Sequence, residues 1–145
     1  MNKIIITLLL SVIGQDVLAC SFSERSGEEK FKDANRVFRA KIVGTQLGTE
    51  NLEGETFEIV KAKYKLIESY KGRNTKSGYV KELTFSPGNC MLGLLTGMEY
   101  IIYLGDTDFV TLPSGSWGYF NPEGTQVLPE LEKLRALAKG ERSAP

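Results

Sequence analysis

Cys20 and Cys90 are the only cysteines in this sequence, and it contains no histidine. The missing imidazole removes the Ser-His and Cys-His nucleophile pairs and the usual zinc-binding side chains. The acids are scattered and form no paired-carboxylate motif, and no glycine-rich phosphate loop follows a strand. Gly93, Gly97 and Gly105 read as turn and bulge glycines. The sequence therefore points away from an enzyme, and no metal or cofactor of its own is expected. The chemistry that remains belongs to the thiols. Two cysteines in an oxidising compartment are expected to form one disulfide.

The compartment is read from the first residues. Lys3 supplies a short positive start, Ile4 to Ile13 is an apolar run, and Val17-Leu18-Ala19 is a small-residue cleavage site. Residues 1–19 are thus expected to be a signal peptide, since a run this short falls below the roughly 20 apolar residues of a spanning helix. No later segment is long or apolar enough to span, so no transmembrane segment is expected and the protein should be secreted or periplasmic. Cleavage after Ala19 makes Cys20 the first residue, with a free α-amine. Val17-Leu18-Ala19-Cys20 also fits the lipobox of bacterial lipoproteins. In that case Cys20 carries lipid on sulfur and nitrogen, the protein sits on the outer membrane, and neither a disulfide nor a free amine survives.

Charge excludes further classes. The chain carries 18 basic and 18 acidic residues, and Lys3 and Asp16 leave together with the signal. A neutral chain lacks the basic footprint that nucleic acid demands, and it has no net charge to hold an anionic membrane. One domain is expected over residues 20–139, with 140–145 as a disordered tail. The chain shows no internal repeat, and a monomer is expected.

The elements that must position the cysteines are mostly strands. Ser26 and Glu29 form a capping-box pattern ahead of a short helix at Glu28–Ala34. Period-two alternation follows. Phe38, Ala40 and Ile42 share one face, and Val60, Ala62, Tyr64 and Leu66 share the next, with Lys61, Lys63 and Lys65 outward. The three lysines read as a solvated strand face. Leu47–Thr56 reads as a glycine-rich polar loop and Lys71–Gly78 as a turn. Tyr79–Phe85, Met98–Leu104 and Phe109–Leu112 complete five strands, with Leu83, Tyr100 and Ile102 inside. Pro129–Ala138 reads as a helix burying Leu128, Leu131, Leu134 and Leu137. The pattern suits a mainly β fold, with the five-stranded antiparallel OB barrel as the best-sized candidate and a sandwich as the alternative.

In order and spacing, several pieces match a known family. Cys20-Ser21 directly follows the signal. Val37–Thr45 reads VFRAKIVGT, a long second strand ends in Ser69-Tyr70-Lys71-Gly72, Cys90 lies about seventy residues after Cys20, and Met98–Gly105 supplies the next strand. From Cys20 to about Phe120 the chain resembles the inhibitory N-terminal domain of the tissue inhibitors of metalloproteinases, within the netrin-like group of OB folds. Its resemblance is to a bacterial member of that group. The resemblance implies a Cys20–Cys90 disulfide and a zinc metalloprotease as partner. It implies that the α-amine and carbonyl of Cys20 chelate the partner's catalytic zinc, with Ser21 at the mouth of the specificity pocket.

The sequence also departs from that family. Its second N-terminal cysteine falls at Phe22, and the expected partner falls near Ser114 or Ser116, so both ends of that bridge are absent together. A third bridge and the cysteine-rich second domain are missing as well. Netrin-like modules elsewhere bind diverse partners without inhibiting a protease, which leaves a binding module as the alternative reading.

Overall fold

A computed structural model describes residues 25–84, 90–121 and 123–142. The calls on Cys20, Ser21 and the signal segment lie outside the described residues. The order is α1 (Gly27–Asp33), β1 (Arg36–Leu52), β2 (Glu55–Lys71), β3 (Ser77–Leu83), β4 (Glu99–Leu104), β5 (Trp117–Tyr119) and α2 (Val127–Arg142). The strands form one antiparallel sheet in the order β3-β2-β1-β4-β5.

α1 begins where the sequence signals it. The Ser26 side chain accepts from Glu29 N at 3.2 Å, and the Glu29 carboxylate accepts from Ser26 N at 2.8 Å. Those bonds to Ser26 hold the Glu29 carboxyl below its ordinary pKa.

Two apolar layers use opposite faces of the sheet. The inner layer gathers Phe38, Ala40, Ile42, Ala62, Tyr64, Val80, Tyr100 and Ile102, with Leu94, Met98, Leu104 and Val110 closing it. The expected buried set is met at Phe38, Ala40, Ile42, Ala62, Tyr64, Tyr100 and Ile102, while Val60 and Leu66 are half-buried at its rim. The outer layer is made by the helices. Phe31 of α1 and Val127, Leu131, Leu134 and Ala138 of α2 cover Val37, Tyr70, Ile101 and Tyr103. β4 is therefore buried on both faces, which explains its continuous apolar reading, Tyr100 to Leu104.

Four expectations need correction. Leu128 is half exposed, and Val127 takes its place in the stripe, because packing spaced four, three and four residues apart tracks one helix face better than a strict three. The helix also begins at Val127, two residues before Pro129, which tolerates a first-turn position, and it continues to Arg142. Phe109 makes only a single parallel bridge to Lys81, Leu112–Ser114 is a 3₁₀ turn, and the fifth strand is Trp117–Tyr119. Residues 47–56 are not a loop but the end of a long hairpin. Glu53 and Gly54 both take positive φ, 53° and 92°, the geometry of a tight two-residue turn. Asn51 Oδ1 accepts from Gly54 N at 3.1 Å and fixes it.

Gly72 ends β2 at φ 70°, and a side chain there would strike the Asn35 carbonyl. That close approach ties the turn after β2 to the start of β1.

Candidate functional site

Cys90 opens an irregular segment that runs to Gly97 between β3 and β4. Irregular backbone inside a fold needs partners for its N–H and C=O groups. Here the partners are two side chains. Glu82 is 1 % exposed, and its carboxylate accepts from Leu92 N and Gly93 N at 2.9 Å each and from Leu94 N at 2.6 Å. The Tyr100 hydroxyl donates to Gly93 O at 2.7 Å and accepts from Leu95 N at 2.9 Å. Burial raises the Tyr100 pKa, so the hydroxyl stays protonated and able to donate. Four consecutive amides after Cys90 and Met91 are thus held by groups rooted in strands.

Glu82 also explains a miss in the reading of β3. The expected inward residue was Leu83, yet Val80 and Glu82 point inside and Leu83 is half-buried. A lone carboxylate in an apolar layer is costly, and three N–H donors offset that cost. Strict alternation from Val80 puts Glu82 on the inner face and Leu83 on the other.

Cys90 is anchored from a second direction. Its carbonyl accepts from Leu112 N at 3.2 Å, at the start of the 3₁₀ turn. Gly115 N closes that turn on Leu112 O at 3.0 Å, and the Ser114 hydroxyl donates to Thr111 O at 2.6 Å. Ser116, 2 % exposed, accepts from Tyr103 N at 2.9 Å and lies 2.9 Å from the Ser114 hydroxyl. Ser114 and Ser116 therefore make a hydrogen-bonded pair that ties the turn to β4. Beside it is a cleft of about 170 Å³ lined by Arg25, Lys30, Asp33, Tyr103, Leu104 and Ser114. Arg25 pairs with Asp33 at 2.6 Å on that rim.

The turn at 111–115 thus has the Cys90 backbone on one side and Arg25 on the other. Cys20 and Ser21 lie outside the described residues, and among the described residues no cysteine is free. Among the described residues, no three of His, Cys, Asp or Glu converge into a metal-binding group, and no helix is long and apolar enough to cross a membrane.

Under α2, the helix-covered side of the sheet carries a second polar cluster. Arg135 of α2 forks onto Glu68 of β2 with two contacts of 2.8 Å, and the Tyr70 hydroxyl donates to Glu68 at 3.0 Å. The Arg135 bonds hold the Glu68 carboxyl below its ordinary pKa. Arg39 reaches Glu99 at 2.7 Å beside it. These contacts dock α2 on the sheet, and nothing in them points to catalysis.

No family model matches the chain, and a search of the curated proteins finds no match.

Proposed function

We propose that the mature chain inhibits a zinc metalloendopeptidase by presenting Cys20 to its catalytic zinc. The reading is supported by one observation: the turn at 111–115 bonds the backbone of Cys90 through Leu112 and shares a cleft with Arg25 through Ser114. Cys20 lies five residues before Arg25, a reach of at most roughly 18 Å. In this reading Cys20 forms a disulfide with Cys90. In the chain-entropy model a loop of this length stabilises the fold by roughly 4 kcal/mol. It also orders the N-terminus before binding, which lowers the entropy lost on association. The clasp of Glu82 and Tyr100 makes the Cys90 end a firm anchor.

The chemistry follows from the free terminus. A catalytic zinc keeps a position open and can expand to five-coordinate, which lets the Cys20 amine and carbonyl bind it together as a chelate. The amine must be neutral, and an α-amine with pKa near ~8 loses its proton readily beside a metal. Ser21 then enters the specificity pocket. The scaffold in this reading is an OB-type fold whose five-stranded sheet is open between β3 and β5. The bridge from Lys81 to Phe109, with Lys81 N bonded to Asp108 O and Val110 N to Lys81 O, ties β3 to the segment after β4 and supports the OB-type reading. The protein is exported and acts outside the cytoplasm.

The test compares the authentic mature chain with one extended by a single alanine, against a panel of zinc metalloproteases. The extension converts the amine to an amide, whose nitrogen lone pair is delocalised into the carbonyl and does not bind zinc. Inhibition is expected from the first form only, and Ser21→Gly should change which protease is preferred. Equal inhibition by both forms would end the chelate mechanism. Inhibition by neither, with an intact mass several hundred daltons above the sequence, would favour a lipid-anchored binding module.

A further inference from the structure

The β1–β2 hairpin changes character halfway along its length. Up to Ile42, β1 is an interior strand. Its last outer bonds are Ile42 N to Met98 O at 3.0 Å and Gly97 N to Ile42 O at 2.8 Å, just beyond the Lys41–Glu99 pair of the β4 ladder. From Gly44 to Leu52, β1 pairs with β2 alone, and among the described residues no backbone bond reaches its other edge. That is roughly 30 Å of strand whose outward N–H and C=O groups have no backbone partner among the described residues. Proteins blunt such edges with proline, lysine or short length. Residues 44–52 read GTQLGTENL, with neither proline nor lysine. Leu47, near the middle, is 79 % exposed.

Charge on the same hairpin is segregated although the chain is neutral. The distal half, Thr45–Val60, holds Glu50, Glu53, Glu55 and Glu58 and no basic residue. The proximal half carries Lys41, Lys61, Lys63 and Lys65 on its outer face. Lys41 stands directly across from Lys65, and Lys61 across from Lys81. Like charges in such register are destabilising, so the face is improved by an acidic neighbour. Lys81 already has one, Glu50 at 2.7 Å, while Lys41, Lys63 and Lys65 make no ion pair among the described residues.

We infer that the outer edge of β1 from Gly44 to Leu52 is the docking surface for a second copy of this chain, paired antiparallel about a two-fold axis. The occupant follows from the charge. Antiparallel pairing centred near Gly48 sets Leu52 of each copy across from Gly44 of the other, so the acidic tip of each runs toward the Lys41–Lys65 end of its partner. A two-fold arrangement satisfies both tips and both faces at once and consumes the exposed edge, so assembly stops at a dimer. The inference is independent of the protease reading, because it uses the hairpin and not the N-terminus.

Two charge reversals test it. One variant is Glu53→Lys with Glu55→Lys, and the other is Lys63→Glu with Lys65→Glu. All four side chains are exposed and outside the core, so circular dichroism should show unchanged folding. Sedimentation velocity should show a dimer of the unaltered protein that weakens as salt rises. Each variant alone should dimerise at least about tenfold more weakly. Mixed one to one they should form a heterodimer, because the reversed tip then meets the reversed face. A monomer at every concentration up to about 100 μM overturns the inference. So does a dimer that neither variant weakens. Salt-sensitive retention of a strictly monomeric protein on a sulfated matrix would overturn it too, and would give the lysines to a polyanion.

Discussion

The segment Cys90–Gly97 and the hairpin arm Gly44–Glu58 invert the usual link between regular structure and anchorage. The first has no helix or strand, yet Glu82 and Tyr100 hold four of its amides from inside the fold. The second is an unbroken antiparallel ladder, yet most of its side chains face solvent. A ladder satisfies its own backbone and needs no neighbour. An irregular segment must borrow partners, and those partners root it in the core. In this molecule the irregular segment is the better platform for a rigid contact, and the regular arm is the better candidate for a contact that completes itself in another copy.

The sharpest way to break this contrast is Glu82→Ala. It strands three amides, one of them buried, and should destabilise the protein by about 4 kcal/mol, read as a lower denaturant midpoint. Glu82→Gln keeps the acceptor oxygen and should lose less. A shift below about 1 kcal/mol for Glu82→Ala would mean that the segment is held elsewhere. Leu134→Ala calibrates ordinary packing. Leu134 is 4 % exposed under α2, so a loss of roughly 2–4 kcal/mol is expected, against less than about 0.5 for the half-exposed Leu128→Ala. Equal effects would mean that the helix presents a different face.

Tyr100→Phe removes the second half of the clasp and keeps the ring. It should cost about 1–2 kcal/mol. Acid titration should give a smaller effect. The Glu68 carboxyl is held low by Arg135, so its contribution is present above the unfolded pKa and fades as pH falls through the folded value. Glu68→Gln should therefore flatten the acid limb of the stability curve below the ordinary carboxylate range and leave the limb above neutrality unchanged. The smallest effect belongs to the arm. Leu47→Ser should change monomer stability by less than about 0.5 kcal/mol in dilute solution. A large loss would show that the arm is packed as firmly as the Cys90 segment.

What the sequence determined by itself is local or periodic. Ser26 and Glu29 specify the start of α1 because a capping box closes within one turn. The alternation at Phe38–Ile42 and at Ala62–Tyr64 specifies which faces are buried, because a strand's period of two leaves no other choice. The helix stripe was half legible. Leu131 and Leu134 were evident, but Val127 and Ala138 required the partner surface to be known. The Cys90 side of the candidate site was legible only as the second of two cysteines, about seventy residues after Cys20. Its support was not. Glu82 looks like a surface acid until three amides from another segment converge on it, and no local pattern records that convergence. The hairpin at 47–56 was hidden for a related reason. Its glycines and acids read as loop, and the ladder across β1 and β2, with Glu53 and Gly54 turning at positive φ, made it strand. Propensity acts over a few residues, whereas cross-strand pairing and buried hydrogen bonds join residues far apart in the chain. Those long-range contacts are what tertiary structure alone decided.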